Sequence, residues 1–419
     1  MKKSMHSVNA YEKARKETVM SNKASARSRF RIRSFSCICL LATLFLCTLN
    51  LYNLFFYLTF LALALCCFCM KAKFSFNLSF LSLMILAVCW VLFAFREYTG
   101  VTLLFKPFVY AISYQVGCQL FYLLKADRFP SESIRATSLV IASGFLLHLV
   151  LNFIINLGSK ERNTMDIWSR EASSATGQAI LACIPLAIAC ATLFSGTKLW
   201  TRLLAAGALV FIVRYNLMLA GRTLFVFLVV IVLEALLHTV LAHPSKKYRH
   251  SVVAVFLLIC ACGLVAFYGD LFGIRSAFME SNFYERFFGR FSIDLYSDDR
   301  LKLKIYYLKH MLAHPFGGAH IRGQLGGYAH DLFLDAYDEM GMIGLIAVVT
   351  YVFLAFRSFI RCMRLKRLSF QAKQLLLCTY TIILMQFFME PILNGSPVFM
   401  AAFCVMDALV HKISIQKPD

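Results

Sequence analysis

Residues 223–243 read TLFVFLVVIVLEALLHTVLAH, and residues 251–269, after the basic break PSKKYRH at 244–250, read SVVAVFLLICACGLVAFYG. Each run has about the twenty apolar residues that carry one α-helix across a hydrocarbon core roughly 30 Å thick. No water satisfies backbone N–H and C=O groups inside lipid, so such a run is a helix and not a loop. Two of them around a short basic break form a helical hairpin through a bilayer. The whole chain fits that reading. Of its 419 residues 60% are hydrophobic and 16% charged, with 40 Phe. A soluble domain carries about 45–50% apolar and about 25% charged residues. The composition excludes a disordered, collagenous or fibrous protein and argues against a soluble enzyme.

Working outward, twelve apolar stretches are expected as spans: 35–49, 52–70, 77–95, 101–123, 137–157, 178–195, 203–219, 223–243, 251–269, 341–356, 374–391 and 397–411. The fold class is therefore an all-α polytopic membrane protein of about twelve transmembrane helices. A basic cytoplasmic tail (1–34) precedes helices one to nine (35–269). A large exoplasmic loop (270–340) follows, then helices ten to twelve (341–411) and a cytoplasmic C-terminal tail (412–419). The tail 1–34 holds ten Lys/Arg against Glu12 and Glu17. It is not a cleaved signal peptide, since no short apolar region and cleavage site follow, and it is suited to rest on anionic lipid. Net charge is +21. In a soluble chain that excess would suggest nucleic acid, but here it sorts by topology. With the N-terminus inside, 28 of the 43 Lys/Arg fall in inside segments and 13 in the longer outside ones, while Lys106 and Arg214 lie within spans. The positive-inside rule then puts both termini in the cytoplasm, and no nucleic acid partner is expected. All 15 Cys fall in spans or inside loops, so no exoplasmic disulfide framework is expected, and no Cys spacing suits zinc.

Candidate chemistry gathers in and beside the outer loop. Arg222 follows Gly221 at the outer end of span seven, where a guanidinium can hold a phosphate bidentately or anchor the helix at the headgroups. Arg214, eight residues earlier, lies within the span and is expected to face a cavity or a partner such as Glu234. Arg286 and Arg290 share a face if their segment is helical. Arg300 opens a stretch with Leu301, Ile305, Leu308 and Leu312 on one helical face, ended by Pro315, Gly317 and Gly318. His330 precedes a helical stretch carrying Leu334 and Tyr337. An imidazole there can take a proton from a hydroxyl nucleophile, with Asp331 and Asp335 nearby to orient it or raise its basicity. His148 and His238 lie in spans as packing or hydrogen-bonding groups. A solvated basic helix and a structural histidine are the plainer readings of the same residues. There is no metal motif, nucleotide loop or Ser-His-Asp pattern. Several Arg and one His on the outer side suit displacement at a sugar carbon attached to a lipid diphosphate.

At these residues the chain resembles the O-antigen ligase/polymerase superfamily of bacterial membrane glycosyltransferases. The resemblance rests on four features: Gly221-Arg222-Thr223 at the start of a span, Ser297 to Arg300 opening an amphipathic helix, the turn His314-Pro315-Phe316-Gly317-Gly318, and His330-Asp331-Leu332-Phe333-Leu334 followed by Glu339-Met340-Gly341-Met342-Ile343-Gly344. They span about 221–345. The resemblance implies a GT-C-like fold, no cofactor and no metal. The implied donor is an undecaprenyl-diphosphate-linked glycan, and the acceptor a second lipid-linked glycan (polymerase) or lipid A-core (ligase). Arg222 and Arg300 would hold the diphosphate and His330 would activate the acceptor hydroxyl; Arg214 and Arg290 are weaker candidates that the motifs do not directly support. Membrane lipid and, for a polymerase, a chain-length regulator are the other implied partners. The implied setting is the bacterial inner membrane. One departure stands out: the family usually has Asn after the His, and here it is Asp331, an adjacent carboxylate that favours the charged imidazole and would repel a diphosphate it faced. A polymerase is the leading expectation and a ligase the alternative. A polysaccharide or lipid transporter using Lys106 and Arg214 is the competing class, although the halves show no matching Gly/Pro breaks.

Overall fold

A computed structural model describes residues 35–70, 74–94, 108–158, 163–281, 283–284, 299–317 and 330–416. The tail 1–34, Lys106, Arg286, Arg290, Ser297 and Gly318 lie outside the described residues. The described residues are almost wholly helical. In order the helices are α1 (Phe35–Thr48), α2 (Phe55–Met70), α3 (Leu78–Ala94), α4 (Phe108–Leu123) and α5 (Pro130–Ile155). A two-residue-strand hairpin follows, β1 (Thr164–Met165) with β2 (Ala172–Ser173), antiparallel and pairing Thr164 with Ser173. Then come α6 (Ala175–Phe194), α7 (Leu199–Met218), α8 (Thr223–Ala242), α9 (Lys246–Tyr268), α10 (Ile274–Met279), α11 (Asp299–His310), α12 (Leu332–Met363), α13 (Phe370–Met389), α14 (Ile392–Gly395) and α15 (Pro397–Ser414).

Where described, each of the twelve apolar stretches overlaps a helix, and among the described residues 8 helices are long and apolar enough to cross a membrane: α5 to α9, α12, α13 and α15. α1, α2 and α3 contain shorter apolar helical stretches. These helices mark the chain as a membrane protein. Boundaries differ from the apolar runs for local reasons. Ser369 caps α13 by accepting from the Ala372 N–H, so the helix starts before the apolar run at 374. Ser245 likewise caps α9 through the Tyr248 N–H.

α4, α6, α13 and α15 form the interior, and most of their residues are buried. Lipid supplies no hydrophobic drive between helices, so close packing of small residues carries association. α6 has the run Ala182, Ala187, Ala189 and Ala191 in the core. Gly117 of α4 lies so close to the Val405 carbonyl of α15 that a side chain would overlap it. α7 and α8 bury only a minority of their residues and α9 none. Their exposed Leu203, Val229, Leu237 and Leu258 are what a lipid-facing surface requires.

The connections gather at two ends. At one, Arg367 donates to the Asp127 and Ile413 carbonyls (both 3.3 Å), and the Ser369 N–H to Ser131 Oγ (2.9 Å). His238 stacks on Phe370 there, ring centroids 4.9 Å apart. This is the basic end. At the other, the loop end, the hairpin is tied down by one buried cluster. His148 places Nδ1 2.8 Å from the Leu49 carbonyl and Nε2 2.7 Å from Asp166 Oδ2. Trp168 Nε1 donates to the same carbonyl (3.0 Å), and Asn152 donates to Asp166 and Gln178. Burial alone would raise the Asp166 pKa. Hydrogen bonds from His148, Ser169 and Trp168, with the charge of His148, more than reverse it and hold the carboxyl well below the usual range. Among the described residues the cysteines are free thiols.

Candidate functional site

At the loop end α11, the start of α12 and the end of α13 meet. α12 begins at Asp331, whose Oδ1 accepts the Leu334 N–H at 2.7 Å. A carboxylate at this position satisfies a backbone donor that has no intrahelical partner and sits at the favourable end of the helix dipole. Its Oδ2 lies 3.2 Å from Lys304 Nζ of α11. Lys304 also donates to the Phe388 carbonyl at 2.7 Å. One turn earlier on α11, Arg300 lies 3.6 Å from Oε1 of Glu390, the cap residue of α13. Arg300 is 44% exposed and Glu390 3%. The guanidinium is therefore accessible while its counter-ion is buried. His330, half-buried, directly precedes the Asp331 cap.

A frame of aromatic and backbone contacts holds these charges. Tyr307 of α11 is fully buried and donates to Asp338 Oδ1 (3.1 Å). Tyr337 donates to the His314 carbonyl (2.8 Å), and Phe333 packs on Phe388. The turn after α11 docks on α12 where that helix breaks. Gly341 has φ 69° and ψ −165°, and the following N–H of Met342 donates to the Pro315 carbonyl at 2.9 Å. A Cβ on Gly341 would stand 2.6 Å from that carbonyl oxygen. Two of the stretches that carry the resemblance, the described part of the His314–Gly318 turn and the Glu339–Gly344 stretch, thus touch through a residue with no side chain.

The structure adds to or corrects several expectations. Leu301, Ile305, Leu308 and Leu312, expected on one face of an amphipathic helix, are all exposed. The packed face is Lys304, Tyr307 and Met311, because polar and aromatic partners on α12 and α13, not an apolar core, receive this helix. Asp331 and Asp335, read in the sequence as neighbours of His330, also hold the fold: Asp331 caps α12 and pairs with Lys304, and Asp335 Oδ2 accepts the Leu393 N–H at 3.0 Å, pinning α14. Arg214 was expected to face a cavity or Glu234. Its side chain is exposed on α7, and Glu234 accepts from Thr381 at 2.6 Å. Leu334 and Tyr337 are buried on one face as the spacing indicates.

Arg222 stands half-buried at the N-cap of α8, at the loop end. The two ion pairs described above involve neither Arg222 nor His330. Arg290 falls outside the described residues. Sequence reasoning missed Lys304 and Glu390. Glu390 carried a signal, an acid ending an apolar run. Lys304 carried none beyond its basic neighbours. Among the described residues no group of three His, Cys, Asp or Glu side chains could hold a metal ion. Comparison with known families and with curated proteins finds no match for this chain.

Proposed function

We propose that the chain is a membrane glycan transferase of the O-antigen ligase/polymerase type, with twelve crossings, both termini cytoplasmic, a GT-C-like helical fold and the loop end exoplasmic. The observation that carries this reading is the pairing of an exposed Arg300 with a buried Glu390, one turn from the Lys304–Asp331 pair and beside His330. Cations braced from behind by buried acids present fixed donors to an incoming anion. Such preorganised charge is the usual way to stabilise a diphosphate leaving group.

In the proposed reaction the acceptor hydroxyl oxygen attacks the anomeric carbon of a glycan on undecaprenyl diphosphate. The bond from that carbon to the phosphate oxygen breaks, and the lipid diphosphate leaves with the electron pair, held by Arg300 and Arg222. The hydroxyl proton passes to His330. Asp331, spent on the cap and on Lys304, does not compete with the diphosphate. Asn and Asp cap helices equally well, so the departure from the family pattern keeps the cap. The reading favours a polymerase, with a second lipid-linked glycan as acceptor, at the outer face of a bacterial inner membrane.

The test is turnover of undecaprenyl-diphosphate glycan by purified protein in nanodiscs, with and without lipid A-core and without added nucleotide. Longer lipid-linked chains, lost in His330→Ala and Arg300→Ala, support the polymerase. Product only with lipid A-core assigns a ligase. No consumption of the host's own glycan by folded wild type, or full activity in both variants, removes the transferase and brings transport forward.

A further inference from the structure

A second site lies at the opposite, basic end. α5 and α7 both pack on α6, and between them runs a half-open groove of about 440 Å³, bounded by the first turn of α13. Small side chains keep it open, with Ala142 and Ser143 on α5, Ala189 and Thr192 on α6, and Ala205 and Ala208 on α7. Along α6 it reaches from Ser195 to Pro185, ten residues or about 15 Å of helix. That is the depth of one leaflet of a core roughly 30 Å thick. Its sides include the exposed Leu139 and Leu204, so the groove faces the surface that lipid covers.

Its mouth is polar and carries both signs of charge. Glu132 and Arg135 stand exposed on α5, three residues apart, and neither has an ion-pair partner among the described residues. The hydroxyls of Ser131, Thr201 and Ser369 complete the rim. Three helices start there, α5 at Pro130, α7 at Leu199 and α13 at Phe370. The cap residues of the first two, Phe129 and Lys198, donate no side-chain acceptor to the first turn. Helix starts without side-chain caps carry the positive end of the helix dipole, which favours an anion.

We infer that this groove binds a glycerophospholipid with a zwitterionic, ethanolamine-type head group. One acyl chain fills the small-residue groove, the phosphate meets Arg135 and the helix N-termini, and the ammonium meets Glu132. A purely anionic lipid would leave Glu132 facing like charge. The inference needs only the membrane reading and does not depend on the chemistry proposed at the loop end.

The experiment is lipid extraction and mass spectrometry on full-length protein purified in mild detergent and washed extensively. Wild type is expected to retain phosphatidylethanolamine above its share in the bulk lipid. Ser143→Phe, which fills the groove from an exposed position, should abolish retention. Arg135→Ala should lower it about fivefold, the upper end for an exposed charge contact. Glu132→Gln should shift the retained lipid toward phosphatidylglycerol. Retention of no phospholipid by monodisperse wild type, preference of wild type for phosphatidylglycerol, or wild-type retention in both Ser143→Phe and Arg135→Ala would each overturn the inference.

Discussion

Gly341→Ala tests the junction that aligns the loop end. Gly341 has φ 69° and ψ −165°, a region essentially closed to residues with a Cβ and costing them of order 1–3 kcal/mol. The new Cβ would also stand 2.6 Å from the Pro315 carbonyl oxygen and 2.8 Å from the Phe316 carbonyl carbon. These atoms are backbone and cannot swing aside, so the 314–317 turn must lift. Lifting it breaks the hydrogen bond from Met342 N–H to Pro315, worth about 1 kcal/mol net. The expected loss is about 2–4 kcal/mol. Gly207→Ala is the control. Gly207 is helical, exposed and has no atom within 4 Å of its would-be Cβ, so the same change there is neutral or stabilises by about 0.4–1 kcal/mol. The assay is equilibrium unfolding of both variants in mixed micelles, followed by Trp fluorescence and circular dichroism. A Gly341→Ala protein within about 0.5 kcal/mol of wild type, near the noise of a neutral surface change, would refute the argument that this backbone shape holds the turn.

Asp331→Ala should cost about 1 kcal/mol through the lost cap, while Asp331→Asn should cost less because Asn also caps; the same unfolding assay separates them. Asp166 is held below its unfolded value, so it contributes stability that is full above the unfolded pKa of about 3.9 and is lost as pH falls through the folded value. Acid titration of unfolding should therefore steepen below about pH 4 in wild type and flatten in Asp166→Asn. Tyr380→Phe removes the donor to the fully buried Asp407, 3.3 Å away, and should destabilise by about 1–3 kcal/mol, read by thermal unfolding in detergent. On the proposed reaction, His330→Ala should lower turnover about 10²–10⁴-fold, measured on the lipid-linked glycan with unfolding as the fold control.

Much of the fold was legible because the signal is local. An apolar run either has the length to be a helix in lipid or does not, and residues 223–243 and 251–269 announce two helices without reference to anything else. Ser245 and Ser369 show the same locality at helix starts. Asp331 carried a cap signal as well, a short acid directly before a helical run. It was read only as a neighbour of His330, because adjacency in sequence suggests contact and draws attention from the cap.

What only the tertiary structure decided was the direction in which polar groups point. The sequence of α11 presents an apolar stripe, and near a membrane such a stripe has two possible covers, protein or lipid. The hydrophobic pattern is the same for both. The inward-facing positions Lys304 and Tyr307 are fixed by partners 27 to 84 residues away, Asp331, Asp338 and Phe388. Likewise the half-open groove at the basic end exists because small residues on three separate helices meet, a coincidence with no signature in any one of them. Composition and periodicity thus determined a helical membrane protein and the places where its helices run. Pairing across distance, which depends on how helices cross and not on what each contains, decided where its charges face.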